Sequence, residues 1–249
     1  MKTIFEYWIC ILFILAIVGC HNSGEETLQL TVANQYIKYV DTTQTDTYLS
    51  SYNNDMVRRK AINIITYTIS NPTDKKYLLV FDTESPEPAF SEDYNNLRSL
   101  IGYRIINNKN KIKKCNPGIF CGGPDLLDCR DCILRNRMDE YNKLGITTGY
   151  SLQLDNYIHN AVTIYPGEKR TFKSVIMLPI VLERNEMGGG IMNYNNLTNS
   201  DKFELFYHCN ALNLKAELPK YILDELEYNN IEIFDGLISA SKVPLKVIK

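Results

Sequence analysis

The residues best suited to chemistry in this chain are four cysteines between positions 115 and 132. Cys115, Cys121, Cys129 and Cys132 lie among glycines, prolines and asparagines, a composition typical of an irregular segment. Two residues separate Cys129 from Cys132, the spacing at which two sulfurs bind one zinc ion, but five separate Cys115 from Cys121. The other half of a zinc knuckle is therefore missing, and the competing chemistry is a pair of disulfide bonds.

The cellular compartment decides between these chemistries, and the amino-terminal residues indicate export. Lys2 precedes an apolar run from Tyr7 to Val18, which ends at Gly19 and Cys20. A basic residue, an apolar run and a small residue before the cleavage point make up a secretory signal peptide. The run is too short to cross a bilayer, which takes about 20 apolar residues. We therefore predict a signal peptide over residues 1–19.

The end of this signal carries a more specific pattern. Ile17, Val18, Gly19 and Cys20 resemble the lipobox of bacterial lipoproteins, in which an aliphatic and a small residue precede an invariant cysteine. The resemblance implies cleavage before Cys20, diacylglycerol on its sulfur and an acyl chain such as palmitate on the new amino terminus. Each buried CH₂ of such chains contributes about 0.8 kcal/mol, so membrane anchoring would be effectively permanent.

Residues 20–27 then form a linker between the lipid and the folded body. Its Ser23, Glu25 and Glu26 resemble the short acidic export tag of some Gram-negative surface lipoproteins, although any solvated linker has a similar composition. The resemblance implies a lipid-anchored protein of the bacterial outer membrane, exposed at the cell surface.

An exported protein folds in an oxidising compartment, which favours disulfides over zinc for the four clustered cysteines. A bond between Cys129 and Cys132 would close a very small loop. Pairs that join Cys115 or Cys121 to either of these two close larger loops, and a loop of about 15 residues is worth about 3 kcal/mol. We expect such crossing pairs, with their connectivity open. Cys209 is left as a buried small hydrophobe, or as a partner if one loop cysteine is free.

The rest of the chain shows the alternation of apolar and polar residues that is typical of strands. Segments at 28–32, 203–209 and 212–216 alternate, residues 61–70 and 77–81 flank a turn and predict a hairpin, and 161–165 and 172–178 flank Pro166 and Gly167. Two short helices are expected, one over residues 132–144 and one that begins at Pro219 and ends near Asn229.

Many short strands with few helices predict an immunoglobulin-like antiparallel β-sandwich over residues 28–249, with a disulfide-stapled insertion at about 107–145. The corners at 69–72 and 165–168 resemble those of sandwich domains in bacterial surface lipoproteins. The only tryptophan is Trp8, inside the signal, so the core tryptophan of antibody domains is missing.

No catalytic residue, cofactor or metal ligand is assigned from the sequence. His208 and Cys209 are adjacent on a predicted strand and so point to opposite faces, which excludes them as a nucleophile and base. Asp125, Asp128 and Asp131 lack the spacing of a calcium loop.

The composition narrows the function class. The net charge of −2 and the scattered basic residues argue against a nucleic acid partner. We predict a non-enzymatic, lipid-anchored envelope protein of binding or assembly type, with a protein or glycan partner. The alternative is an envelope hydrolase, such as a glycan-acting enzyme, with dispersed acidic residues that leave no spacing to recognise.

Overall fold

The fold is mainly β, as the sequence predicts. A computed structural model describes residues 27–41, 59–60, 62–83, 86–89, 99–114, 120–121, 143, 157–185, 188–194 and 196–248. Its strands are β1 (Gln29–Val32), β2 (Ile37–Val40), β3 (Ile62–Ser70), β4 (Lys76–Val80), β5 (Glu87–Pro88), β6 (Ser99–Ile106), β7 (Phe120–Cys121), β8 (Ala161–Ile164), β9 (Lys169–Met177), β10 (Ile180–Asn185), β11 (Gly188–Asn193), β12 (Lys202–Cys209), β13 (Ile231–Ile233), β14 (Gly236–Ser239) and β15 (Val243–Ile248). Two helices follow β12, α1 (Ala211–Glu217) and α2 (Lys220–Tyr228), and residues 59–60, 143 and 157–160 are also helical.

The described strands form four sheets with both antiparallel and parallel pairs. One has the order β1-β3-β9, a second β10-β11-β7, a third β13-β4-β8, and the largest β2-β15-β12-β6-β5, with β14 also paired to β12. The pairs β2–β15, β13–β4 and β5–β6 are parallel. Two of the four sheets are therefore mixed, and the prediction of a purely antiparallel arrangement is wrong in these three places.

The period-two pattern places side chains as expected in the strands that line the core. In β9, Ser174 and Ile176 are buried while Lys173 and Val175 are exposed. Leu30 of β1 is buried between exposed neighbours. In β12 both faces are covered, because Phe206 on the second face is as fully buried as Phe203 on the first.

The strands predicted to form a hairpin around residues 71–74 exist, but they do not pair with each other. β3 pairs with β1 and β9, whereas β4 pairs with β8 and β13. The connection is a corner between two sheets, held by the buried Asn71. Its Nδ2 donates to the carbonyl oxygens of Lys75 and Ile164 at 2.6 and 3.2 Å. The hairpin prediction is wrong because these side-chain hydrogen bonds hold a turn after which the chain enters a different sheet.

A second corner, between β8 and β9, lies against the first. Gly167 has a φ of 72°, a conformation that favours glycine, and its N–H donates to the carbonyl of Asn71 at 2.8 Å. The N–H of Asn71 in turn donates to the carbonyl of Glu168 at 2.9 Å. The strands β3-β4 and β8-β9 thus run side by side through both corners as one bent ribbon.

The helices show one success and one error of sequence reasoning. α2 begins after Pro219, buries Ile222 and Leu226 and ends before Asn229, as predicted. Residues 212–216, predicted as an alternating strand, lie in α1 instead. The Asn210 side chain accepts a hydrogen bond from the N–H of Asn213 at 3.1 Å and thereby caps this helix.

A line of aromatic rings joins the sheets in a common core. The Phe81 ring contacts Phe172 of β9 at a centroid distance of 5.5 Å and Tyr207 of β12 at 5.4 Å. Tyr207 also contacts Phe234, which follows β13. Aromatic pairs at such distances add to the burial of their apolar area, so this line stabilises the contact between the β1-β3-β9 sheet and β12.

The segment predicted as an insertion starts with a turn that packs on the largest sheet. The N–H of Lys113 donates to the carbonyl of Ile105 at 2.7 Å, and its ammonium pairs with the buried carboxylate of Asp201 at 2.7 Å. Further along, β7 pairs with β11. Apart from residue 143, which is helical, the helix predicted over 132–144 lies outside the described residues.

Candidate functional site

The cysteines singled out by the sequence lie almost entirely outside the described part of the chain. This holds for Cys20, Cys115, Cys129 and Cys132, so lipid attachment and disulfide pairing stay predictions. The backbone of Cys121 lies in β7, opposite Gly189 of β11.

Cys209 is a buried free thiol, as expected for a small core residue. Burial raises the pKa of this thiol, so it is protonated at neutral pH. Beside it, the hydroxyls of Ser99 and Tyr207 are 2.8 Å apart, and Tyr207 accepts a hydrogen bond from the N–H of Val80 at 3.4 Å. The hydroxyls of Ser99 and Tyr207 therefore have hydrogen-bond partners within the core. The Cys209 thiol is protonated, and a protonated thiol is a poor nucleophile.

His208 lies on the opposite side of β12 from Cys209, as strand geometry requires. Partial burial lowers the pKa of its imidazole, so the ring is neutral at pH 7. The pair therefore does not form the nucleophile and base of a hydrolase.

Buried charges in the described part of the chain are paired. Arg104 of β6 and Glu204 of β12 lie directly opposite each other, form an ion pair and are mostly buried. The Arg104 guanidinium also stacks 5.7 Å from the centre of the Phe206 ring. Within the described residues, no group of three or more histidines, cysteines or carboxylates is placed to hold a metal ion. These pairs serve the fold.

A different surface has the character of a binding site: the outward side of the β1-β3-β9 sheet. We call it the β3–β9 face, and it consists of the side chains that alternate away from the core. Its members are Gln29, Thr31, Ile62, Ile64, Thr66, Thr68, Ser70, Lys169, Thr171, Lys173, Val175 and Met177.

One end of this face is apolar and open to solvent. Ile64 and Val175 are directly opposite each other in the β3–β9 ladder, and 60% and 52% of their surfaces are exposed. Ile62 is opposite Met177 and is 38% exposed. Contiguous exposed apolar side chains on a sheet mark interaction sites more often than single ones do.

The other end of the face is polar and basic. Thr68 and Thr171 share a hydrogen bond of 2.8 Å between their hydroxyls, and the side chains of Lys169 and Lys173 are exposed beside them. None of the residues in β1, β3 and β9 is acidic. The face therefore combines an apolar end with a basic end.

Two asparagines hold β3 from opposite sides and keep this face in place. The N–H of Lys38 donates to Oδ1 of Asn63 at 2.7 Å, and Nδ2 of Asn63 donates to the carbonyl of Lys38 at 2.9 Å. Asn34 makes the same two-way contact with the N–H of Thr66 and the carbonyl of Ile64, both at 2.9 Å. The side-chain amide of each asparagine thus bonds to a backbone N–H and a backbone carbonyl, as a neighbouring strand would.

Sequence reasoning missed this face although its sign is present in β3. Residues 62–70 carry isoleucine at positions of both parities, so an apolar residue must lie on each side of the strand. The hairpin prediction uses this segment only as a strand and assigns no function to its outward side.

A smaller exposed cluster lies on α2. Tyr221 and Tyr228 are 60% and 87% exposed and are seven residues apart, which places them on one side of the helix. Burial raises the pKa of Tyr157, and the charges of Glu225 and Tyr221 raise it further.

Comparison with protein-family models, with curated proteins and with solved structures finds no match to this chain. Among the described residues, none of the helices has the length and apolar character needed to cross a bilayer.

Proposed function

We propose that this chain is a lipid-anchored protein of the bacterial outer membrane, exposed at the cell surface, that acts by binding or assembly and not by catalysis. The resemblance of residues 17–20 to a lipobox supports the anchor. The body is an immunoglobulin-like β-sandwich with a disulfide-stapled insertion. Support for the sandwich comes from Phe81, whose ring packs between Phe172 of one sheet and Tyr207 of another.

The observation that carries the binding function is the β3–β9 face. Ile64 and Val175 lie side by side with about half of each side chain in water, so each forgoes part of the roughly 1.5–3 kcal/mol that full burial provides. The asparagine contacts at Lys38 and Thr66 fix the strand that carries Ile64. A rigid, partly apolar surface of this kind gains free energy when a partner covers it.

The tyrosines of α2 support a glycan as a second candidate partner. Tyr221 and Tyr228 expose aromatic rings on one side of α2, and exposed rings are suited to stack on a sugar. If a glycan binds here, Tyr221→Ala weakens retention on immobilised envelope polysaccharide, whereas Ile64→Lys on the β3–β9 face does not.

The anchor is tested by expressing wild type and Cys20→Ala in a native-like bacterial host. We expect wild type to take up labelled fatty acid and to fractionate with membranes, and Cys20→Ala to lose both properties. A Cys20→Ala protein that is processed and retained like wild type would refute the anchor.

The binding surface is tested in the same host with Ile64→Lys and a matched control, Leu212→Lys, on α1. Leu212 is also an exposed aliphatic residue, at 78%, so both variants should fold. We expect Ile64→Lys alone to reduce the recovery of partners, lipid or protein, that are cross-linked to this face. Equal recovery from both variants would remove the face from the function.

A further inference from the structure

We propose that the β3–β9 face rests on the phosphate-bearing surface of the membrane that holds the Cys20 anchor. This inference rests on the proposed lipid anchor and adds the occupant of the face. Three observations lead to it: the reach of the linker, the charge of the face and the position of its apolar end.

The linker keeps the face close to the bilayer. β1 begins at Gln29, nine residues after Cys20, and a fully extended chain spans at most about 3.3–3.6 Å per residue. Gln29, at the basic end of the face, is therefore tethered within about 30 Å of the lipid surface. Gln29 itself lies on the face, opposite Ser70, which is opposite Lys169. A short tether gives an effective concentration in the millimolar range, so a weak surface suffices for docking.

The charge of the face favours an anionic surface over a second copy of this chain. Lys169 and Lys173 are exposed, and none of the residues in β1, β3 and β9 is acidic. A second copy bringing the same face would offer these lysines no carboxylate. Lipid phosphates would supply the negative charge that these lysines lack. Each lysine near such a surface strengthens association about fivefold.

The apolar end completes the match to a bilayer surface. Ile62, Ile64 and Val175 project from the same side of the sheet as the lysines, with Lys173 two residues before Val175 in β9. Apolar side chains next to cations are the arrangement by which surface elements sit at the boundary between headgroups and acyl chains. Thr66 follows Ile64 on the face, opposite Lys173, and its hydroxyl can donate to a phosphate oxygen.

The test uses the tryptophan content of the chain. Its single tryptophan, Trp8, lies in the predicted signal, so a tryptophan introduced into the mature protein reports its own site alone. Val175→Trp places a reporter on the face, and Leu212→Trp places a matched reporter at another exposed aliphatic position. The lipidated proteins are purified from membranes and reconstituted into vesicles of brominated phosphatidylcholine, with or without phosphatidylglycerol.

We expect the emission of Val175→Trp to move to shorter wavelength and to be quenched in the vesicles that contain phosphatidylglycerol. Leu212→Trp should keep its emission. Adding Lys169→Gln and Lys173→Gln to Val175→Trp should weaken docking about thirtyfold and restore its emission.

Emission of Val175→Trp that is quenched no more than that of Leu212→Trp would overturn the proposal. The mass of the Cys20 peptide from the same sample separates the two claims. A lipidated protein with an unquenched face contradicts membrane docking and leaves the anchor intact, whereas an unmodified Cys20 contradicts the anchor and this inference together. A photo-cross-linker at Ile64 that captures protein in intact cells, and no lipid, would assign the face to a protein partner.

Discussion

The side chain of Asn63 pairs with both backbone groups of Lys38, accepting from its N–H at 2.7 Å and donating to its carbonyl at 2.9 Å. Asn63 faces the core from β3, while its neighbours Ile62 and Ile64 face solvent. The contact joins β2 of the largest sheet to β3 of the sheet that carries the β3–β9 face. It therefore connects the core to the surface that we propose is functional.

Replacement of Asn63 tests this connection. Asn63→Ala removes two hydrogen bonds and leaves partly buried backbone groups of Lys38 without partners, so we expect a loss of about 2–4 kcal/mol in the free energy of unfolding. Urea unfolding followed by circular dichroism measures it. Asn34→Ala removes an equivalent but more exposed pair and should cost about 1 kcal/mol. Equal costs for the two variants would contradict the role of burial.

Gly102 is a position where any side chain conflicts with its surroundings. A Cβ there would lie 2.5 Å from Cζ of Phe206 and 3.0 Å from the carbonyl oxygen of Glu87. We expect Gly102→Ala to lower the free energy of unfolding by about 1–3 kcal/mol. Adding Phe206→Leu removes the closest ring atom and should recover part of this loss. A Gly102→Ala protein with the wild-type unfolding midpoint would show that the sheet yields easily.

The free energy of unfolding should fall at high pH, because buried tyrosine hydroxyls and a buried thiol keep their protons in the folded state. Burial raises the pKa of Tyr67 to about 12 and also raises those of Tyr207 and Cys209. The unfolded chain loses these protons from its ordinary pKa values of 9.0 and 10.0 upward, so the folded state binds more protons there. The free energy of unfolding therefore decreases as pH rises above about 9.

Urea unfolding at several pH values between about 8 and 11 measures this dependence. Tyr67→Phe removes one of the groups and should make the decrease shallower. Identical curves for wild type and Tyr67→Phe would show that the Tyr67 hydroxyl is accessible to water.

The predicted disulfides fix the number of free thiols in the mature protein. If Cys115, Cys121, Cys129 and Cys132 form two disulfides, the mature protein, unfolded without reduction, exposes the single thiol of Cys209. Under native conditions this thiol should resist alkylation, because it is buried and its pKa is raised. Mass spectrometry after iodoacetamide treatment gives the count. Four free thiols in the 115–132 segment of metal-free, non-reduced protein would exclude the disulfides.

Local patterns in the sequence were sufficient where local rules decide the structure. The alternation through Phe172, Ser174 and Ile176 predicts β9 because side chains in a strand alternate between faces. Likewise, the spacing of Ile222 and Leu226 after Pro219 predicts α2.

Local patterns failed where side chains choose distant partners. The hairpin predicted between β3 and β4 is a corner, because the Asn71 amide bonds to Ile164, far along the chain. Residues 212–216 alternate like a strand, yet the Asn210 cap starts a helix there. The parallel pairing of β2 with β15 joins opposite ends of the chain and leaves no trace in either segment. The β3–β9 face was missed for the same reason, since its members come from three strands.

The mass of the amino-terminal peptide of the protein purified from bacterial membranes tests the central claim most directly. The lipid anchor predicts a chain that begins at Cys20, with the mass of a diacylglycerol on its sulfur and a fatty acyl group on its amine. Cleavage with lipase should return this peptide to a lower, defined mass. A membrane-derived protein that begins elsewhere, or that carries an unmodified Cys20, would contradict the account.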